Sequence, residues 1–292
     1  MKNSNLFEVA KLVRYWSVKL PTVVGSGHPT SSTSAVELIT ALVFGGYFKY
    51  DLNNAKNANN DCLIFSKGHA SSLFYSLWHV AGKISEKELL TYRQFEGRLE
   101  GHPTKRFEQT EFATGSLGQG LALGVGRSVA NNLDGRLNKT FVLMGDSELA
   151  EGSVWEAVAF AGFYKLNNII SIIDLNGLGQ RGETMTRFNS KLVGSRFKAF
   201  GWNVVYIKNG NDIKEVDKIY KQTLLKKQTE PVVFIAKTVK GSGIENVAGQ
   251  QNWHGKPLSE KEWQSLEKTL MPKSFKVRVS IKKPLIKKVL NN

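Results

Sequence analysis

Two short motifs each follow an apolar run: Gly145-Asp146-Ser147 and Asp174-Leu175-Asn176-Gly177. If their strands are neighbours, Asp146 and Asn176 meet at one edge. A carboxylate and an amide oxygen, completed by diphosphate oxygens and water, suit an octahedral Mg²⁺ ion. Gly145 lets the backbone approach a phosphate closely, and the helix that follows favours an anion at its N-terminus. Alone, Asp146 reads as a helix cap and Asn176 as a turn residue. Together, each at the end of an apolar run, they favour a metal–diphosphate site.

Four of the five histidines sit in Gly-flanked loops: Gly27-His28-Pro29, Gly68-His69-Ala70, Gly101-His102-Pro103 and Trp253-His254-Gly255. Imidazoles transfer protons near neutral pH and can donate to sugar or phosphate oxygens. The fifth, His79, lies in the helical stretch Leu77–Val80 and reads as structural. No H-x-x-x-H or Cys-rich spacing supports zinc. Thr114-Gly115-Ser116-Leu117-Gly118-Gln119-Gly120 opens a small-residue helix whose free N–H groups can cradle a phosphate. It is not a P-loop, and Gly124-Val125-Gly126 lacks the strand context of a dinucleotide fingerprint.

The elements that must position these residues alternate. Cys62–Phe65, Phe141–Met144, Ile169–Ile173, Val204–Ile207 and Val232–Ala236 read as buried strands. Helical patterns cover Ser34–Leu42, Leu73–Val80, Leu117–Asn131, Ser153–Leu166 and Asp212–Lys226. The alternation predicts an α/β fold, a doubly wound and mostly parallel sheet with helices on both faces. Ligands then sit at the carboxyl ends of the strands, in the loops that carry the motifs.

The chain has 292 residues, 41% hydrophobic and 22% charged. That composition supports a large core and excludes a mainly disordered chain. No run of about 18 uncharged apolar residues exists, so no membrane partner is expected. The single cysteine, Cys62, suits a reducing, cytoplasmic location. The net charge of +15 is uneven: eight of the 40 basic residues and none of the 25 acids fall in residues 268–292. One domain over 1–267 and a basic tail over 268–292 are therefore expected. The tail reads first as a solvated, mobile segment and second as a dock for an acidic partner subunit. No nucleic-acid motif accompanies the charge, so no nucleic-acid partner is expected.

Taken together, Ser26–Ser31, Ser66-Lys67-Gly68-His69-Ala70, Glu100–Pro103, Thr114–Gly120, Gly145–Trp155 and Trp253–Leu258 resemble the thiamine-diphosphate-binding part of transketolases, in family order over about residues 10–265. The resemblance implies Mg²⁺ held by Asp146, Asn176 and the carbonyl of Leu178. It implies a cofactor site lined by Gly115, Ser116, Leu117, Gly145 and Ser147. His69 and His254 would contact the diphosphate with help from Ser31 and Lys67, and Lys240 would reach the cofactor. His28 and His102 would face a ketose phosphate, and Glu151 matches an acidic position at the subunit interface.

Two departures stand out. The usual Gly-Asp-Gly is Gly-Asp-Ser, so Ser147 needs room. Full transketolases also carry a pyrimidine-binding domain whose glutamate activates the cofactor, and no residue here can be assigned that role. The resemblance therefore implies the N-terminal subunit of a split transketolase, paired with a C-terminal subunit in a heterotetramer that acts on sugar phosphates. Another thiamine-diphosphate enzyme (a 2-oxoacid dehydrogenase or a deoxyxylulose-phosphate-type synthase) and a noncatalytic scaffold are the alternatives.

Overall fold

A computed structural model of the chain describes residues 3–277 and 279–285. In chain order its elements are α1 (Asn3–Val24), α2 (Pro29–Thr33), α3 (Val36–Phe44), β1 (Cys62–Phe65), α4 (Ser71–Val80), α5 (Glu86–Leu89), α6 (Gln119–Leu133), β2 (Thr140–Gly145), a 3₁₀ turn (Asp146–Ala150), α7 (Gly152–Phe163), β3 (Ile169–Leu175), α8 (Ser190–Ala199), β4 (Asn203–Ile207), α9 (Ile213–Leu224), β5 (Val232–Lys237) and α10 (Glu260–Leu270). The five strands are all parallel, in the order β1-β2-β3-β5-β4.

Successive side chains of a strand point to opposite faces, and in β1, β2, β3 and β5 both faces are buried; β4, expected to be buried, is an edge strand with Val204 and Val205 half-buried and Tyr206 exposed. Leu63, Phe65, Phe141, Leu143, Ile170, Ile172, Val232 and Phe234 belong to one core, shared with α1, α3, α4, α9 and α10. Cys62, Ile64, Val142, Met144, Ile169, Ile173, Val233 and Ile235 belong to the other, shared with α6, α7 and α8. The near-continuous apolar runs follow from this double coverage. The expected doubly wound α/β sheet is the fold observed.

Five helices had no counterpart in the expected pattern: α1, α8 and α10, and the short α2 and α5. Pro21 lies inside α1, where a proline supplies no N–H. The carbonyl of Ser17, four residues earlier, accepts the Ser72 hydroxyl of α4 instead, at 2.9 Å. The irregularity becomes a tie between two helices. The α10 start is fixed by a capping box in which Ser259 and Glu262 cap each other. The α6 start falls at Gln119 rather than Leu117. Gly118 takes a left-handed conformation (φ 83°) that a helix cannot include.

The boundary expected after residue 267 falls inside α10. The Phe275 ring meets Tyr15 edge-on at a centroid distance of 5.1 Å. Further along, the Lys282 carbonyl accepts the Tyr50 N–H at 2.7 Å. These residues return to the domain. Arg278, Lys287 and Lys288 of the expected tail lie outside the described residues. No described helix is long and apolar enough to cross a membrane.

Candidate functional site

The carboxyl ends of β1, β2, β3 and β5 converge. Gly145 is in register with Asp174, Asp174 with Ala236, and Leu175 with Lys237. Two carboxylates thus stand on neighbouring strand ends, Asp146 at 4% exposure and Asp174 at 0%. Asp174 is fully partnered. It accepts from Lys67 Nζ, Ser34 Oγ and Thr238 Oγ1, and from Asn176 Nδ2 at 3.3 Å. Burial alone would raise its pKa, but the Lys67 charge and these donors hold it below the usual range.

Asp146 is partnered on one side only. Its Oδ2 accepts the Gly177 N–H at 2.6 Å and the Thr184 hydroxyl at 3.3 Å. Its Oδ1 accepts no hydrogen bond among the described residues. Burial and the neighbouring Asp174 push its pKa up to about 7. The loop that binds Oδ2 brings Asn176 and Leu178 with it. Asn176 Oδ1 accepts one bond, from the Leu178 N–H at 3.1 Å. Asp146 Oδ1, Asn176 Oδ1 and the Leu178 carbonyl keep lone pairs, so this hard-oxygen set fits a Mg²⁺ ion.

Lys240 closes the other side. Its Nζ donates to the carbonyls of Leu178 (3.0 Å) and Gly179 (2.8 Å) and contacts His254 Nδ1 at 3.1 Å. Burial and the nearby Lys67 lower its pKa to about 8, so at neutral pH it remains mostly an ammonium. An ammonium only donates. His254 Nδ1 is then the acceptor, and the neutral ring carries its proton on Nε2.

His28, His69 and His254 form a triangle, with ring centroids 5.0, 5.0 and 5.1 Å apart. Burial first, then nearby cations, lowers all three. His28 falls to about 4, His254 to about 3, and His69 well below its ordinary value. They are neutral at neutral pH, each with one donor and one acceptor. His102 is exposed beside Gly68 and Gly115; burial and Arg93 lower its pKa too.

The other expected residues divide into floor and rim. Lys67 is 3% exposed. Its ammonium is taken by Asp174, by the Ser31 carbonyl at 2.9 Å and by Ser34 Oγ at 3.3 Å. With three donors used, Lys67 builds the floor instead of presenting a free charge, and buried Ser31 belongs to that floor. Gly115, Ser116 and Leu117 are exposed at the rim, ahead of α6. Gly145 is buried, and its N–H donates to Glu148 Oε2 at 2.8 Å. Ser147 finds its room opposite Gly179, where a β-carbon would sit 3.4 Å from its Oγ. Glu151 is half-buried at the N-cap of α7, with no side-chain cap bond.

Sequence reasoning gave no role to Glu148, Thr184 or Arg93, and saw Asp174 only as a motif residue. Glu148 is 1% exposed. It accepts from Ser66 Oγ and the Gly118 N–H, tying the β1, β2 and α6 loops together. Burial raises its pKa. A usable signal existed for Asp174: a carboxylate ending a fully buried strand requires partners.

A parallel sheet with polar groups gathered beyond its strand ends defines an α/β ligand-binding domain. The chain matches the family described as transketolase, thiamine diphosphate binding domain, over residues 7–291, and it belongs to that family. It is 42% identical over 254 residues to a transketolase-like protein 2 of Bos taurus, covering 87% of this chain and 40% of that protein. Transketolase from Campylobacter jejuni superposes with a TM-score of 0.86 at 34% identity, covering 95% of this chain and 45% of that one. A Pichia stipitis transketolase solved with sedoheptulose-7-phosphate gives 0.84 at 26% identity, over 95% of this chain and 42% of that one. The chain thus spans about two fifths of the length of the curated relatives it matches.

Proposed function

We propose that this chain supplies the diphosphate-binding part of a two-component transketolase, which transfers a two-carbon ketol unit from a ketose phosphate to an aldose phosphate. The observation that carries this reading is the half-satisfied Asp146, set beside Asn176 and Leu178 and facing a cluster of neutral histidines. Asp146, Asn176 and the Leu178 carbonyl would hold Mg²⁺ against a diphosphate. His69 and His254 offer donors to the same diphosphate, and Lys240 reaches it by giving up one of its bonds to Leu178, Gly179 or His254. Gly115, Ser116, Leu117, Gly145 and Ser147 line the approach, and Ser31 and Lys67 support it from below.

Thiamine diphosphate, when bound, supplies the electron sink that lets a carbon–carbon bond beside a carbonyl break. This chain's own groups orient and move protons. His28 and His102 are neutral at working pH, so each can take a proton from a ketose hydroxyl and return it to the aldose oxygen. The sugar-phosphate class accords with the Pichia stipitis complex. In this reading the rest of the family's length comes from a separate C-terminal subunit carrying the pyrimidine-binding domain, in a heterotetramer with Glu151 at the subunit contact. A cytoplasmic location accords with the free, buried Cys62.

The test is ketol transfer from xylulose 5-phosphate to ribose 5-phosphate with thiamine diphosphate and Mg²⁺. The assay compares this chain alone with the chain copurified with the product of the adjacent reading frame. Activity in the pair alone is expected. Activity without a partner overturns the split arrangement, and turnover of pyruvate in place of xylulose 5-phosphate overturns the transketolase assignment.

A further inference from the structure

Tyr92 and Arg93 lie against two of the Gly-His pairs, and the proposed function gives neither of them a role. A β-carbon on Gly27 would sit 3.2 Å from the Tyr92 hydroxyl, and one on Gly101 would sit 2.8 Å from Arg93 Cζ and from Nη1. The Tyr92–Arg93 pair fills the space that a side chain before His28 or His102 would need. Tyr92 is anchored. Ser71 Oγ donates to the Gly101 carbonyl at 2.8 Å, so the Tyr92 hydroxyl, 2.8 Å from that oxygen, donates to Ser71. The phenol oxygen is then free to accept from Arg93.

Arg93 is costly to hold in this place. Its backbone is left-handed at φ 56°, a conformation that is strained for a non-glycine residue. Its N–H is fixed by the Leu99 carbonyl at 2.8 Å. Among the described residues Nη1 is buried with no hydrogen-bond partner, and no carboxylate lies within ion-pair distance of the guanidinium. A guanidinium cannot shed its proton. A buried, uncompensated donor of this kind matches an anionic oxygen ligand.

We infer that Arg93 binds substrate, donating to a negatively charged oxygen of the sugar phosphate held between His28 and His102. The inference rests on the transketolase reading. The oxygen belongs either to the phosphate or to the reacting end of the sugar, where a hydroxyl oxygen becomes negative as its proton passes to His28 or His102. The Arg93 charge also faces both imidazoles. His28 sees His102 and Lys240 besides, and packs against His69 and His254; for His102, Arg93 is the one charged neighbour that lowers it.

The experiment uses the complete enzyme with R93Q and R93K, the latter keeping the charge should R93Q fail to fold. R93Q is expected to lower kcat/KM for xylulose 5-phosphate about 10- to 100-fold, the worth of a hydrogen bond to a charged group, with thiamine diphosphate affinity unchanged. R93K recovers part of the loss. Unphosphorylated xylulose separates the two oxygens: equal loss with both sugars places Arg93 at the reacting end, and loss with the phosphate ester alone places it on the phosphate. Either outcome supports the inference. NMR titration of His28 and His102 supplies a readout independent of turnover, with both pKa values rising in R93Q and not in R93K. Wild-type kinetics in R93Q overturn the inference. If the wild-type enzyme transfers no ketol unit, the transketolase reading fails, and unmoved histidine titrations then overturn the placement of Arg93 as well.

Discussion

Asp174 and Asp146 stand on adjacent strand ends, equally deep, and differ in almost everything else. Asp174 has an ammonium and two hydroxyls on its carboxylate and is held in its charged form. Asp146 has two donors on one oxygen, none on the other, and a pKa near 7. Burial acts on both in the same direction. The difference lies in who supplies the compensating charge. For Asp174 the chain supplies it, through Lys67. For Asp146 the chain leaves the task to a cation. The first carboxylate builds the fold and the second serves the ligand.

The sharpest way to break this comparison is to remove each carboxylate in turn. D174N leaves the Lys67 ammonium buried without its counter-charge. It should cost about 3–5 kcal/mol of stability in urea unfolding, and K67M should cost a similar amount. Combining K67M with D174L should recover most of the loss, because no lone charge then remains buried.

D146N should cost little or even stabilise the metal-free protein. The sign follows from linkage. The Asp146 carboxyl binds its proton up to about pH 7 in the folded chain but only to about 4 when unfolded. Stability therefore falls as pH rises through that window, and D146N should flatten the slope. Asp174 behaves oppositely: its contribution is present above the unfolded pKa and is lost as pH falls through its lower folded value. Unfolding midpoints from pH 4 to 8 check the first sign in D146N, and midpoints below pH 4 check the second in D174N.

Metal binding sharpens the comparison further. Mg²⁺ must displace the Asp146 proton, so apparent affinity should drop about tenfold per unit below pH 7 and level off above it. Calorimetric titration across pH 5.5–8.5 measures this. The smallest effect belongs to S147G. The serine hydroxyl occupies room left by the missing side chain of Gly179, so its removal should change stability by less than about 0.5 kcal/mol and leave cofactor affinity unchanged.

The strands β1, β2, β3 and β5 were legible because parallel strands covered on both faces must be apolar throughout; the edge strand β4 was found by its β-branched run but is half-exposed. Each expected strand is found, lengthened by one or two residues at most at either end. The helix α1 was not, since its buried residues surround much of its circumference and Pro21 reads as a break. At the site, Asp146 and Asn176 were legible because each ends an apolar run. The difference between Asp146 and Asp174 was not. The partners of Asp174 lie 140 (Ser34), 107 (Lys67) and 64 (Thr238) residues away in sequence, and only the fold brings them together. For the same reason Lys67, expected to help hold the cofactor, proves to be occupied with Asp174. Arg93 carried no motif signal at all; its left-handed backbone and unpartnered Nη1 exist only in three dimensions.

The most direct test of the division of labour is thiamine diphosphate binding with and without Mg²⁺, measured by calorimetry on the complete enzyme at pH 8, wild type beside D146N. The account predicts binding that requires Mg²⁺ in the wild type and is weakened at least about 100-fold in D146N, with D146N unfolding at a urea concentration no lower than the wild type. Binding that is indifferent to Mg²⁺, or that survives D146N intact, would contradict it.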